Sequence, residues 1–180
     1  ISTYQSYTTT FIQGHAFKWN PSDVGIWSGD EHSNGSQSCR FGKTAASYIE
    51  MAEDVTDGAN MITFYAANWS SNEAAPTLQV LYSTDEGSTW TAVGTCKPNN
   101  TWQQYIFNLS LNGNVRFKIL QTAGARLNVD DIAITSNPAD KKLVWDSEYE
   151  SYYDADSDCW LWYNTDVEPP VWQYWDEGIS

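Results

Sequence analysis

The chain offers little of the side-chain chemistry that an enzyme needs. Its two histidines, His15 and His32, form no His-x-His or His-x-x-x-His pair of the kind that holds zinc. There is no Gly-x-Ser-x-Gly nucleophile turn and no Gly-rich phosphate loop. Its 23 acids could furnish many carboxylate pairs for glycoside hydrolysis, so no pair stands out from the rest. Each histidine reads as a surface or loop residue. The expectation is a protein that is not an enzyme.

Binding chemistry is better supplied. Arg126-Leu-Asn-Val-Asp130-Asp131-Ile-Ala-Ile-Thr135 sets two adjacent acids in an apolar strand frame. Neighbouring strand positions face opposite sides, so one carboxylate points inward or to a sheet edge. A buried carboxylate needs a cation or several donors. Two readings follow: Asp130 as a ligand of a structural Ca²⁺, or a salt bridge to Arg126, Arg116 or Lys118. Asp154-Ala-Asp156-Ser-Asp158 has spacing that can present three carboxylates to Ca²⁺, but Cys159 and Thr165 stand where an EF-hand needs Gly and Glu. A solvated acidic turn is the simpler reading. Trp27 and Trp69 both adjoin loop-rich sequence, Trp27-Ser-Gly-Asp-Glu and Asn68-Trp-Ser-Ser-Asn. They are the candidate rings for stacking on the apolar face of a sugar, with core packing as the alternative.

The elements that must position these residues are strands. Leu78, Val80 and Tyr82 alternate in Thr77–Tyr82, as do Tyr105, Phe107 and Leu109, and Val115, Phe117 and Ile119. Weaker strands are expected at Thr8–Ile12, Val24–Trp27, Ser38–Phe41, Ser47–Ala52, Met61–Ala67, Thr89–Gly94 and Leu127–Thr135. Asn34-Gly35, Asp57-Gly58, Glu86-Gly87 and Asn112-Gly113 mark the turns between them. No amphipathic helix exceeds two turns. Short strands with regular punctuation predict an all-β sandwich of jelly-roll type over residues 1–137. Ser83-Thr-Asp85-Glu-Gly87-Ser-Thr89-Trp90 matches the Asp-box pattern at every fixed position, which predicts a hairpin turn rather than a catalytic site.

Composition changes after Asn137. Residues 143–180 contain ten acids, no Lys, Arg or His, five of the ten Trp and five of the eleven Tyr. A charge run without rings would be a solvated tail. These rings can instead bury area, so 138–180 is expected to form an acidic, aromatic-rich extension that is ordered over 143–180. Trp145, Trp160, Trp162, Trp172 and Trp175 are expected mostly buried on the sandwich or on a partner, and Glu168-Pro169-Pro170 to be extended or a turn.

The formal net charge of −14 disfavours phosphate backbones and anionic membranes, which argues against nucleic acid. No apolar run is long enough to span a bilayer. A start at Ile1 reads as a processed form or an excised segment. Three cysteines permit one disulfide or none, with Cys39 and Cys96 the pair if one forms. Asn34, Asn68, Asn99 and Asn108 open Asn-x-Ser/Thr triplets that could accept glycans in a eukaryotic secretory pathway.

The order of Ala45-Ala-Ser-Tyr-Ile-Glu50, Ile62-Thr-Phe-Tyr65, the Leu78–Trp90 segment, Trp102–Leu109, Val115–Ile119 and Leu127-Asn-Val-Asp-Asp-Ile132 resembles choice-of-anchor J or cleaved-adhesin modules. These jelly-roll domains of Bacteroidetes surface proteins are distantly MAM-like, and the resemblance covers about residues 5–136. It implies a Ca²⁺-stabilised, extracellular sandwich without a shared catalytic set, in which Asp130 is a metal ligand. The function expected is a secreted or cell-surface binding and adhesion module for carbohydrate or a surface protein. The alternatives are an assembly subunit docking a protein partner through residues 143–180, and an accessory domain of a secreted hydrolase.

Overall fold

The computed structural model describes residues 7, 11–14, 16–30, 32–136 and four later strands. The chain divides into two compact units, Ile1–Asn137 and Pro138–Ser180. The first unit carries β1 (Ile12–Gln13), β2 (Lys18–Ser22), β3 (Val24–Ser28), β4 (Gln37–Phe41), β5 (Tyr48–Met51), β6 (Ala59–Asn68), β7 (Thr77–Ser83), β8 (Thr91–Cys96), β9 (Gln103–Leu111), β10 (Arg116–Ala123) and β11 (Leu127–Thr135). They form two antiparallel sheets, β1-β2-β5-β10-β7-β8 and β3-β4-β11-β6-β9.

Period-two alternation builds the core between them. Ile49, Met51, Leu78, Val80, Phe117 and Ile119 of the six-stranded sheet are almost wholly buried. They meet Val24, Ile26, Phe41, Ile62, Phe64, Leu127 and Val129 of the five-stranded sheet. Each fully buried Phe or Ile contributes on the order of 1.5–3 kcal/mol. Between β2 and β3 the chain passes from the first sheet to the second through a single residue, Asp23, which takes φ 53. Its carboxylate accepts a hydrogen bond from Ser47 Oγ at 2.8 Å and lies where a Cβ on Gly42 would stand. Gly42 is thus fixed by this close approach.

The Asp box is the β7–β8 hairpin. Asp85 Oδ1 accepts from Thr89 N at 2.8 Å and Ser83 Oγ at 2.6 Å, and Oδ2 accepts from Thr89 Oγ1 at 2.7 Å. Ser83 Oγ in turn accepts from Gly87 N at 2.9 Å. Glu86 and Gly87 carry the positive φ values of 58 and 87 that the turn requires. Trp90 packs beneath Gly87 and against Lys118, whose Nζ is 4.1 Å from the indole centroid.

Two elements depart from the expected strands. β2 contains Asn20-Pro21 and gives no sequence signal, yet it pairs with β5. Among the described residues β1 pairs with Trp19 and Lys18 and not with Pro21, and proline suits a position outside the hydrogen-bonded ladder. In β11 a register shift lies between Asp130 and Ala133, with Asp131 at φ 50. The bulge suspends the alternation expected for the two acids.

The second unit contains β12 (Leu143–Asp146), β13 (Ser151–Asp154), β14 (Cys159–Asn164) and β15 (Val171–Tyr174) in one antiparallel meander. Leu161 is buried and Trp160 is half-buried beside Tyr153, with ring centroids 5.1 Å apart. The side chains of Trp145, Trp162 and Trp172 lie outside the described residues, as do Trp175 and Glu168-Pro169-Pro170.

Candidate functional site

The outer face of the five-stranded sheet holds the polar and aromatic side chains that the core does not use. Trp27 of β3 stands opposite Ser38, Arg40 of β4 pairs with Asn128, and Asp130 of β11 pairs with Tyr65. Alternation explains the placement: Ile26, Cys39, Val129 and Phe64 point inward, so their neighbours point out.

Trp27 and Trp69 are brought together around one guanidinium. Arg40 Cζ is 4.3 Å from the Trp27 ring centroid and 5.4 Å from that of Trp69. Arg126 Cζ lies 3.5 Å from Trp69 on a further contact. Tyr7 packs on Trp27 with centroids 4.8 Å apart and is itself exposed. Alternating rings and guanidinium groups attract through the ring quadrupole. Both Trp27 and Trp69 remain half-buried, presenting part of each indole to solvent.

Asp30 fastens this ladder. Its buried carboxylate accepts from Arg40 through two nitrogens, from Asn128 Nδ2 at 2.7 Å and from the Trp69 side chain. Burial alone would raise its pKa, but the hydrogen bonds and charge of Arg40 and Asn128 outweigh it and hold the carboxyl below its ordinary value. Glu73 plays the matching part for Arg126, with Nε at 2.9 Å. The hydrogen bonds from Arg126 keep Glu73 below the ordinary carboxylate range.

The β3–β4 loop crosses the same face from this ladder to a second ring cluster. His32 stacks on Trp102 at 6.0 Å with planes 8° apart, and Tyr65 lies 5.9 Å from Trp102. Asn34 Oδ1 accepts from Trp102 Nε1 at 3.1 Å, while Asn34 N donates to Asp130 Oδ2 at 3.0 Å. The floor under the loop is polar: Ser38 and Asn128 are buried, and Asn128 Nδ2 donates to Ser38 Oγ at 2.9 Å.

The bulge turns Asp130 and Asp131 toward the same residue. Asp131 accepts from Asn34 Nδ2, and Asp130 accepts from the backbone N–H groups of Asn34 and, at 2.9 Å, Asp131. The proposed salt bridge is overturned, because the three cations are engaged elsewhere. Arg126 pairs with Glu73, Arg116 with Asp54, and Lys118 with Glu50. Burial therefore raises the pKa of Asp130 against its two backbone donors. Both acids line a cavity of about 550 Å³, together with Gln13, Asn34 and Gln37 over an apolar floor of Trp19, Ile26 and Val129. Its rim offers the hard oxygen atoms that suit Ca²⁺. Among the described residues no three His, Cys, Asp or Glu side chains converge, so carboxylates alone do not complete such a site.

Other sequence candidates fall elsewhere. Cys39 and Cys96 are free thiols, not a disulfide, each pushed up to about 12 by burial. Asn68 is buried and so is no glycan acceptor in the folded chain. His15 and the 155–158 stretch of the Asp-rich loop lie outside the described residues. Asp30, Arg40, Asn128 and Trp102 were not singled out by sequence. Their only signal is an outward register position or a place beside a loop, and they meet through contacts 68 to 98 residues apart for Asn34–Trp102 and Asp30–Asn128.

No family model matches the chain, and no curated protein matches it. Solved structures do share its fold. The K2 cleaved adhesin domain of Lys-gingipain is similar at 15% identity and TM-score 0.53, over 65% of this chain and 89% of that one. The CBM22-1 xylan-binding domain from Paenibacillus barcinonensis Xyn10C is similar at 15% identity and TM-score 0.50, over 66% and 85%. A family 29 carbohydrate-binding module, CBM29-2, is similar at 9% identity and TM-score 0.50, over 73% and 89%. These likenesses establish the jelly-roll sandwich.

Proposed function

We propose that this chain is a non-catalytic extracellular module that binds carbohydrate on the outer face of its five-stranded sheet. The observation that carries the reading is the convergence of Trp27 and Trp69 on one face around Arg40, beside Asp30 and Asn128. Sugars present C–H faces that stack on indoles and hydroxyls that bond carboxylates and amides. Guanidinium groups hold both rings rigidly, so little side-chain entropy is lost when a ligand lands. The −14 net charge favours a neutral ligand over an anionic one. The shared fold with a cleaved adhesin domain and with carbohydrate-binding modules supports a place among choice-of-anchor J or cleaved-adhesin modules of bacterial surfaces.

Ca²⁺ belongs to the same proposal. Asp130 and Asp131 would hold it, with carbonyl oxygens around the cavity completing the shell. The ion would supply the positive charge that the half-buried Asp130 lacks. A glycan array probed with the protein, with and without Ca²⁺, tests the function. Retention of a defined set of neutral glycans supports it, and no retention in either condition overturns it.

A further inference from the structure

Among the described residues, the strands that end the two sheets are unequal. β1 has two residues, β3 five, and β8 six with a register shift between its partners Val80 and Leu81. β9 ends the five-stranded sheet with nine residues, and it pairs regularly with β6 from Gln103 to Asn108. Natural edges are normally guarded by Lys, Pro, bulges or short length. Gln103-Gln-Tyr-Ile-Phe-Asn-Leu-Ser-Leu111 contains neither Pro nor charge, and no charged residue stands between Lys97 and Arg116. Only its C-terminal end is interrupted, by a register shift opposite Ala59 and Met61.

This edge also carries Ile106, at 56% the most exposed large hydrophobic among the described residues. Gln104 and Asn108 flank it on the same face, and both are exposed. In a chain of net charge −14, two copies carry a like net charge and repel at close range. An uncharged edge is where approach costs least. Its outward pattern, Gln104-x-Ile106-x-Asn108, is self-complementary about Ile106 when read antiparallel.

We propose that β9 pairs antiparallel with β9 of a second copy, about a two-fold axis at Ile106, joining two five-stranded sheets into one of ten strands. Ile106 then faces Ile106 of the partner copy, and Gln104 faces the partner's Asn108. Outward-facing backbone groups of Gln104–Asn108 then meet those of the second copy, and the exposed isoleucines bury each other. Such an isologous contact closes on itself and stops at the dimer. The alternative occupant, an extended peptide from another protein, would leave the purified chain monomeric.

Sedimentation equilibrium of the full chain tests this. The wild type should show a concentration-dependent monomer–dimer equilibrium. Ile106→Lys and Ile106→Glu should each weaken it at least tenfold, because like charges would face each other across the axis. Their unfolding midpoints should match the wild type, since Ile106 lies outside the core. Mixing the two variants should restore a heterodimer. Ile106→Cys should form a covalent dimer on mild oxidation, whereas Gln104→Cys should not. A wild type monomeric up to about 1 mM, a dimer that survives both charge variants, or variants that fail to recombine would overturn the proposal.

Discussion

Asp85 shows how one side chain can organise a hairpin without doing chemistry. Bonds from Ser83 and from the Thr89 backbone and hydroxyl lower its pKa to about 2, below its ordinary 3.8. A lowered carboxylate stabilises the fold above its unfolded value and loses that contribution as pH falls through the folded value. The wild type should therefore lose melting temperature more steeply than Asp85→Asn between pH 4 and about 2, with the variant less stable at neutral pH. Parallel curves for the two proteins would contradict this. Asp130 works in the opposite direction. Its raised pKa means that the folded state favours the protonated acid, so metal-free stability falls as pH rises through the folded value. Ca²⁺ at a hundred times its dissociation constant should add about 2.7 kcal/mol, read as a higher melting temperature at pH 7. Asp130→Asn should abolish that gain, and an unchanged wild-type melting temperature in excess EDTA would contradict the metal reading. The sequence displayed both residues clearly, because a rigid motif and an acid pair are local signals. It did not display the bulge at Asp131, since a left-handed φ at a non-glycine residue is imposed by the surrounding sheet.

At the scale of elements, strands with alternating apolar residues were legible and those without were not. β7, β9 and β10 advertise their buried faces residue by residue, whereas β2 is a strand only because β5 offers it a partner. The β3–β4 loop is the element on which the site depends. It reads in sequence as a turn at Asn34-Gly35, yet Asp30, His32 and Asn34 pin it across the sheet through Arg40, Asn128, Trp102 and Asp130. These partners come from three separate segments, β4, β11 and the residue before β9, so no local pattern announces them. Removing one member of a largely buried charge pair leaves the other uncompensated. Asp30→Ala should cost on the order of 3 kcal/mol, measured by urea denaturation, because Arg40 would remain between two indoles with no counter-charge. A loss below about 0.5 kcal/mol would show that the pair is effectively solvated and the ladder is loosely held.

At the scale of the whole molecule, two units divide the composition between them. Ile1–Asn137 holds the sandwich and the ring ladder, while Pro138–Ser180 holds most of the acidic-aromatic sequence as a small meander of its own. The density of rings raised the expectation of order in the second part, but announced neither its four strands nor their register, since its apolar residues follow no period-two pattern long enough to read. A glycan site confined to the first unit makes a direct demand on residues 1–137. The decisive measurement is isothermal titration of the intact protein, Trp27→Ala and Trp69→Ala with a neutral oligosaccharide selected on the array. Saturable binding by the wild type is expected, with at least a tenfold loss of affinity, about 1.4 kcal/mol, in each variant at unchanged secondary structure. Wild-type affinity in both variants would contradict a carbohydrate site built on these two rings.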